Sequence, residues 1–413
     1  MEDYRHPLLQ KRSQLDFQQK LQTLMDRDGI DALIVLNPQH IYYATGYLSK
    51  AGAMPGLMPG LASVAMVPRQ GEVVLFIIDL ESAEAQLQTR HVQVEPLPTF
   101  FFVDDGTDQS RQERSVDFQS ASAIQRALNA ALDTCADPLV GVEMGALSHS
   151  AASTVMATID SKRQVDCGGL LTASRKIKTA WEIEVLRLGA QFWDRAVRAI
   201  APQVQPGMSL LELDGLIMKT AWEMDAEHTL TSVVAITGCG PLLTLCGLPR
   251  NYRLKEGDLV KLDGGGAHLG YTTDICRVWS VGRPDPAKSA AFDVLYGGFQ
   301  RGMEMLKPGV KLSDMYHACR SEVEASTNIP SYPRGHVGHS ISVESTLEDH
   351  PWITAAEPST FEPGMVVSHE MSYAATSNTP HEGSYNIEDT FLITEDGHER
   401  FSFTNETLEW IVD

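Results

Sequence analysis

Apolar positions recur at helical spacing from residue 13 to 28 (Leu15, Phe17, Leu21, Leu24, Met25) and stop at Asp28-Gly29, which predicts a first helix. The continuous apolar run Asp31-Ala-Leu-Ile-Val-Leu36 reads as a buried strand, and Asn37-Pro38 as the turn into a short helix through Tyr47. Residues 51 to 60 are rich in Gly, Pro and Met and read as a loop. Ser63 to Val67 and Glu72 to Ile78 form a strand pair around Pro68-Arg-Gln-Gly71. A helix capped by Asp79, a helix from Ser120 to Asp133 and a strand at Leu139 to Val142 complete an alternating α/β half.

The pattern changes after Thr172. A long amphipathic helix runs to Ile200, and Pro206-Gly207 introduces a second one, Leu210 to Met224. Strands with glycine turns follow from Leu230 to Val281. Two further helices, Asp285 to Leu306 and Leu312 to Ser326, precede a strand-rich remainder from Gly335. Helices grouped around an antiparallel sheet make this half α+β. The expected division is an N-terminal α/β domain over 1–168 and a catalytic domain over 169–413, with the change of texture between residues 160 and 172.

A chain of 413 residues is too long for one ordinary core, which agrees with two domains. Its net charge of −21 repels nucleic acid and anionic lipid. No run of eighteen apolar residues is present, and the first residues lack the basic-then-apolar pattern of a signal peptide, so a cytoplasmic location is expected, with neither membrane nor nucleic acid as partner. The 6 cysteines form no C-x-x-C pair and read as free thiols.

The chemistry concentrates on Gly257 to Val281. Two strands, Leu259 to Ala267 and Gly270 to Val281, turn at His268-Leu269 and set Asp263 opposite Asp274. Directly opposed side chains in an antiparallel pair lie about 5 Å apart, and like charges there repel. A divalent cation would cancel that repulsion. A surface hairpin with its aspartates in water, or a register moved by a bulge at Gly264-Gly265-Gly266, would remove the need for one. Downstream, His339, Glu370 and Glu388 each lie in an apolar strand, where an unneutralised carboxylate is costly. Four carboxylates and an imidazole suit first-row ions such as Mn²⁺ better than a thiolate zinc site.

Asp263 and Asp274 with Gly270-Tyr271 and Arg277, then Gly338-His339, Gly364-Met365-Val366 with Glu370, and Ile387-Glu388-Asp389, resemble the ligand signature of the pita-bread metallopeptidases. That group includes methionine aminopeptidase, aminopeptidase P and prolidase, with creatinase as a metal-free relative. Arg175-Lys-Ile-Lys178 and the stretch from Asn37 to Tyr47 extend the resemblance over nearly the whole chain. It implies a pita-bread catalytic domain behind a creatinase/prolidase-type N-terminal domain that serves oligomerisation and substrate access. It also implies two divalent ions (Mn first; Fe, Co or Zn as alternatives) on Asp263, Asp274, His339, Glu370 and Glu388, and a homodimer or dimer of dimers. Asp263 would clamp one ion and His339 complete the other. A hydroxide between the ions would attack a carbonyl carbon, with Glu370 accepting the proton. The implied reaction is cleavage of an amide C–N bond, most simply in an Xaa-Pro dipeptide.

Several positions depart from that pattern. Cys246 stands where a histidine usually precedes Pro249 by three, and Thr346 stands where a histidine usually follows the metal histidine by seven. His350 and His336 are the nearest replacements, and His381 and Cys246 are candidates for binding substrate. Met371 and Asn386 replace a proline and an arginine beside the two glutamates. These changes leave open a small non-peptide substrate, of the kind handled by ectoine hydrolase, creatinase or a dimethylsulfoniopropionate lyase. A non-catalytic binding protein of this fold would require a broken ligand set, and here all five positions are filled.

Overall fold

The computed structural model describes residues 5–49, 63–97, 120–239, 251–329, 331–343, 348–375 and 379–411. Residues 51 to 60 and Cys246 lie outside that set. The chain divides into two compact units, Met1–Arg175 and Lys176–Asp413. Among the described residues no helix is long and apolar enough to cross a membrane.

The first unit carries a six-stranded sheet made of β1 (Ala32–Val35), β2 (Val64–Pro68), β3 (Val73–Ile78), β4 (Val92–Leu97), β5 (Val140–Val142) and β6 (Gln164–Asp166), in the order β4-β3-β2-β1-β5-β6. Its centre reads as continuous apolar sequence because β1 and β2 are buried along their full length. The helix Gln14–Asp28 starts on a Ser13 cap and ends on Gly29 in the left-handed conformation. Asp79 is the first residue of its helix; Ile78 occupies the cap position and gives no side-chain cap bond. Strand β4, which alternates apolar and polar residues from Val92 to Glu95, and the helix His149–Thr158 are additional to the elements read from sequence.

The second unit is organised around a ten-stranded sheet. Its main path is β12 (Asp349–Thr354), β11 (His336–Ser340), β13 (Val366–Ala375), β14 (Gly383–Ile393), β10 (Ile275–Val281), β8 (Leu259–His268) and β7 (Leu230–Cys239). β9 (Tyr271–Thr272) pairs with β8, β15 (His398–Arg400) with β14, and β16 (Glu409–Ile411) with β10. Two helix pairs bury apolar stripes against it. Ala180–Ile200 and Leu210–Met224 pack Trp193, Val197, Leu213 and Ile217 against Val260, Leu262 and Trp279. Pro286–Met303 and Leu312–Glu324 pack Phe292, Phe299, Met315 and Val323 against Val367, Met371 and Phe391. Both helices of the first pair open with a complete capping box, Thr179 with Glu182 and Ser209 with Glu212. The predicted α+β, pita-bread architecture is the one observed.

The β8 hairpin turns one residue later than its sequence predicts. His268 pairs with Tyr271, and the turn is Leu269-Gly270, at φ 49° and 81°. A tight two-residue turn of this hand needs positive φ at both positions, and Gly270 supplies one of them without steric cost. His268 stays in the strand with its ring 4.7 Å from that of Phe192. The register therefore moves by two residues, so Asp263 faces Cys276 rather than Asp274. A shift of two keeps each side chain on its original face.

Candidate metal centre

One rung of the sheet gathers the acids. Asp263 on β8 faces Cys276 on β10, Cys276 faces Glu388 on β14, and Glu388 faces Glu370 on β13. His339 comes from β11, opposite Ser368. Asp274 enters at the break between β9 and β10, where its carbonyl accepts from Thr390 Oγ1 at 3.1 Å and Ser368 Oγ at 3.4 Å. Two glycines allow this convergence. A Cβ on Gly338 (φ 146°) would lie 2.3 Å from the Ser368 carbonyl oxygen, and one on Gly265 2.5 Å from that of Thr273.

Asp274, His339 and Glu388 are all buried and present ligand atoms within 4.8 Å of one another. Ser368 Oγ donates to Glu388 Oε1 at 2.6 Å, and Asn386 Nδ2 donates to Glu388 Oε2 at 3.0 Å. His339 Nε2 lies 3.5 Å from Asp274 Oδ2, while its Nδ1 faces the Ser340 carbonyl at 3.0 Å. That backbone bond fixes the ring so that Nε2 points at the acids. Asp274 Oδ1 is buried with no hydrogen-bond partner. A buried carboxylate oxygen without a donor is what a hard cation would satisfy, so these residues fit a divalent ion.

The remaining acids have cationic neighbours. Arg334 Nη2 donates to Glu370 Oε1 at 2.5 Å, and His336 Nδ1 lies 3.3 Å from the same oxygen. His336, Glu348 and Glu370 form a second group of potential ligands, which Arg334 also reaches, 3.8 Å from Glu348. Asp263 belongs to neither group; its Oδ2 accepts from Lys261 Nζ at 2.7 Å and, at 3.5 Å, from Asn386 Nδ2.

Protonation follows from this geometry. Burial, then the charges of Asp274, Asp263 and Glu370, pushes the Glu388 carboxyl well above its ordinary range. Burial also raises Asp274, to about 6. For His339, burial opposes the charged form, but the hydrogen bond and charge of Asp274 prevail and raise it to about 9. Burial would raise Glu370, yet Arg334 and the two histidines hold it below the usual glutamate range. Burial likewise opposes the Lys261 ammonium, and the Asp263 charge more than offsets it. Four carboxylates are tolerable here only with compensating positive charge.

A third layer holds the rung in place. Arg277, fully buried, donates to the Cys276 and Glu388 carbonyls at 2.7 and 2.8 Å and to Asp194 and Asp389 at 2.5 and 2.9 Å. Asp389 in turn accepts from Arg400, Ser402 Oγ and the Thr404 amide. Lys178 Nζ donates to Ser340 Oγ at 2.7 Å, beside His339.

The other predicted residues are placed as follows. His350 is exposed on β12 with its ring 3.7 Å from that of Trp352. His381 is half-buried, its ring 6.2 Å from that of Tyr373, and its carbonyl accepts from the Tyr385 hydroxyl at 2.8 Å. His369 packs flat on Phe299 between the Val337 and Phe299 carbonyls. Lys261, Arg334 and Glu348 were not singled out from sequence. The signal available for Lys261 was its position two residues before Asp263, on the same face of one strand.

Residues 184–395 match Metallopeptidase family M24, and residues 18–177 match the Creatinase/Prolidase N-terminal domain. The chain belongs to family M24. As a metallopeptidase-family chain it is a metal-dependent hydrolase. Among M24 relatives, an Xaa-Pro dipeptidase of Pyrococcus furiosus is 24% identical over 390 residues, 94% of this chain and 98% of the relative. The uncharacterised peptidase YqhT of Bacillus subtilis is 24% identical over 391 residues, with the same two coverages. In fold, this M24 chain superposes on the prolidase of Thermococcus sibiricus with a TM-score of 0.78 at 16% identity, covering 97% of this chain and 100% of the other. An Xaa-Pro dipeptidase from Bacillus anthracis gives 0.74 at 20%, with equal coverage.

Proposed function

We propose that this M24 chain hydrolyses the amide bond of Xaa-Pro dipeptides. The observation that carries this reading is the buried group Asp274, His339 and Glu388, with an unpaired Asp274 oxygen, in a chain whose full-length relatives include Xaa-Pro dipeptidases. A divalent ion held there would polarise the scissile carbonyl and acidify a water molecule, and the oxygen-rich set favours Mn²⁺.

The protein's own groups supply the rest. Glu370 is the proton acceptor: Arg334 donates to its Oε1 and keeps it ionised at neutral pH, and His336 Nδ1 lies 3.3 Å from the same oxygen. His336, half-buried and 3.3 Å from Glu370 and 3.7 Å from Glu348, passes that proton towards the leaving amine. Ser368 and Asn386 fix both oxygens of Glu388. Strands of the sheet carry Ser368, Glu370, Asn386 and Glu388, and sites built on strands hold their geometry better than sites on loops. The first unit serves association into a dimer or dimer of dimers and frames substrate access, in a cytoplasmic enzyme.

The test is a panel of Xaa-Pro dipeptides beside ectoine, creatine and dimethylsulfoniopropionate, with Mn²⁺-loaded enzyme. Turnover of the dipeptides is expected. Turnover of a small metabolite alone would overturn the peptide assignment while keeping the metal centre. Asn386 is the observation on the side of that second reading, because it replaces an arginine beside Glu388.

A further inference from the structure

We infer that Lys261 is a built-in cation of this centre: its ammonium takes the Asp263 side, and the chain holds one divalent ion, on Asp274, His339 and Glu388. The inference rests on the metal-dependent reading above and deepens it. The pair of positive centres implied by the resemblance is then one hard divalent ion and one covalently attached ammonium.

Three observations converge on it. Lys261 and Asp263 lie two apart on β8, on one face, and Lys261 Nζ sits 2.7 Å from Asp263 Oδ2 with both side chains largely buried. A divalent ion on that oxygen would lie against the ammonium, and like charges at such range in a buried site repel strongly. The ligand geometry is also one-sided. Asp274, His339 and Glu388 form a compact group with an unpaired buried oxygen, whereas Asp263 joins no group and its Oδ2 already has two donors.

Charge gives the third argument. Metal ligands are deprotonated, so with an ion bound His339 is neutral, Asp263, Asp274, Glu370 and Glu388 contribute four negative charges, and Lys261 and Arg334 neutralise two of them by direct contact. Two remain, which one divalent ion cancels. Glu348 adds a further negative charge at the rim, where it is 40% exposed and screened by solvent. Two divalent ions would instead leave the buried rung with excess positive charge.

The experiment is metal counting on the full-length chain. The protein is stripped with chelator, reloaded with excess Mn²⁺, desalted, and measured by elemental analysis against protein concentration. Wild type is expected to retain one Mn²⁺ per chain, Asp263→Asn also one, and Asp274→Asn none. Lys261→Met, which frees Asp263, is expected to retain two. Two ions on wild type, or loss of an ion in Asp263→Asn, would overturn the inference while leaving the metal-dependent reading intact. No ion on wild type would overturn both. Should Lys261→Met fail to fold, the comparison of wild type with Asp263→Asn decides the matter alone.

Discussion

Glu370 and Glu388 face each other directly across β13 and β14, both buried. Nothing in a sheet stabilises two opposed carboxylates unless positive charge lies beside them. Arg334 serves Glu370, but among the described residues the hydrogen-bond donors to Glu388 are the neutral Ser368 and Asn386. Metal binding should therefore be folding energy as well as catalysis. At a free Mn²⁺ concentration one hundred times its dissociation constant, stabilisation should be about 2.7 kcal/mol, or roughly 3–5 °C in Tm. Differential scanning fluorimetry with and without chelator checks this; an unchanged Tm would contradict it.

Glu370→Gln keeps the shape of the side chain and removes its basicity. Turnover should fall by about 10²–10⁴-fold. Metal content should be retained, because Glu370 is outside the group Asp274, His339 and Glu388. Steady-state kinetics beside elemental analysis separates the two effects. Loss of metal together with activity would make Glu370 a ligand first.

His336 and His350 compete for the role of proton carrier. His336 Nδ1 lies 3.3 Å from Glu370, whereas His350 is exposed, its ring tilted against that of Trp352. His336→Ala should lower kcat by about a hundredfold, and His350→Ala by much less, both with unchanged metal content. The reverse order would place the carrier on β12.

Arg277 holds the rung in place through the backbone carbonyls of Cys276 and Glu388. Arg277→Met leaves Asp389 and Asp194 without their buried guanidinium partner, and the Cys276 and Glu388 carbonyls without a donor. Breaking a buried pair from one side costs about 3–5 kcal/mol. Urea denaturation monitored by tryptophan fluorescence should show a loss of that size.

His268 makes stability depend on pH. Its Nδ1 lies 2.9 Å from Thr229 Oγ1, and its buried Nε2 has no partner. Burial lowers its pKa from 6.5 to about 4, with Asp225 opposing the shift and Arg195 assisting it. In that window the unfolded chain binds the proton and the folded chain does not. Stability is thus complete above pH 6.5 and falls as the pH drops towards 4, by about 3 kcal/mol. His268→Gln should flatten that part of the curve, measured as urea midpoint against pH. An equally steep curve in the variant would assign the loss to other groups.

The fold and the acids were legible because each leaves a local mark. Strand periodicity brackets Asp263, Glu370 and Glu388, and a charged residue inside an apolar strand stands out without coordinates. The helix pairs carry caps and apolar stripes that read directly. What was not legible depends on contacts between distant strands. The turn at Leu269-Gly270 rather than His268-Leu269 follows from backbone φ and from the packing of His268 on Phe192, neither of which has a local pattern. Arg334 and Glu370 are thirty-six residues apart and meet only through the β11–β13 pairing. Lys261 was visible, yet a lysine on a strand reads as an ordinary exposed residue until Asp263 is placed beside it.

Anomalous diffraction from Mn²⁺-soaked crystals of the full-length protein tests the central claim most directly, because it locates the ion rather than inferring it. The account predicts a peak within coordination distance of Asp274, His339 and Glu388. A peak on His336, Glu348 and Glu370 instead, or no peak near the rung at all, would contradict it.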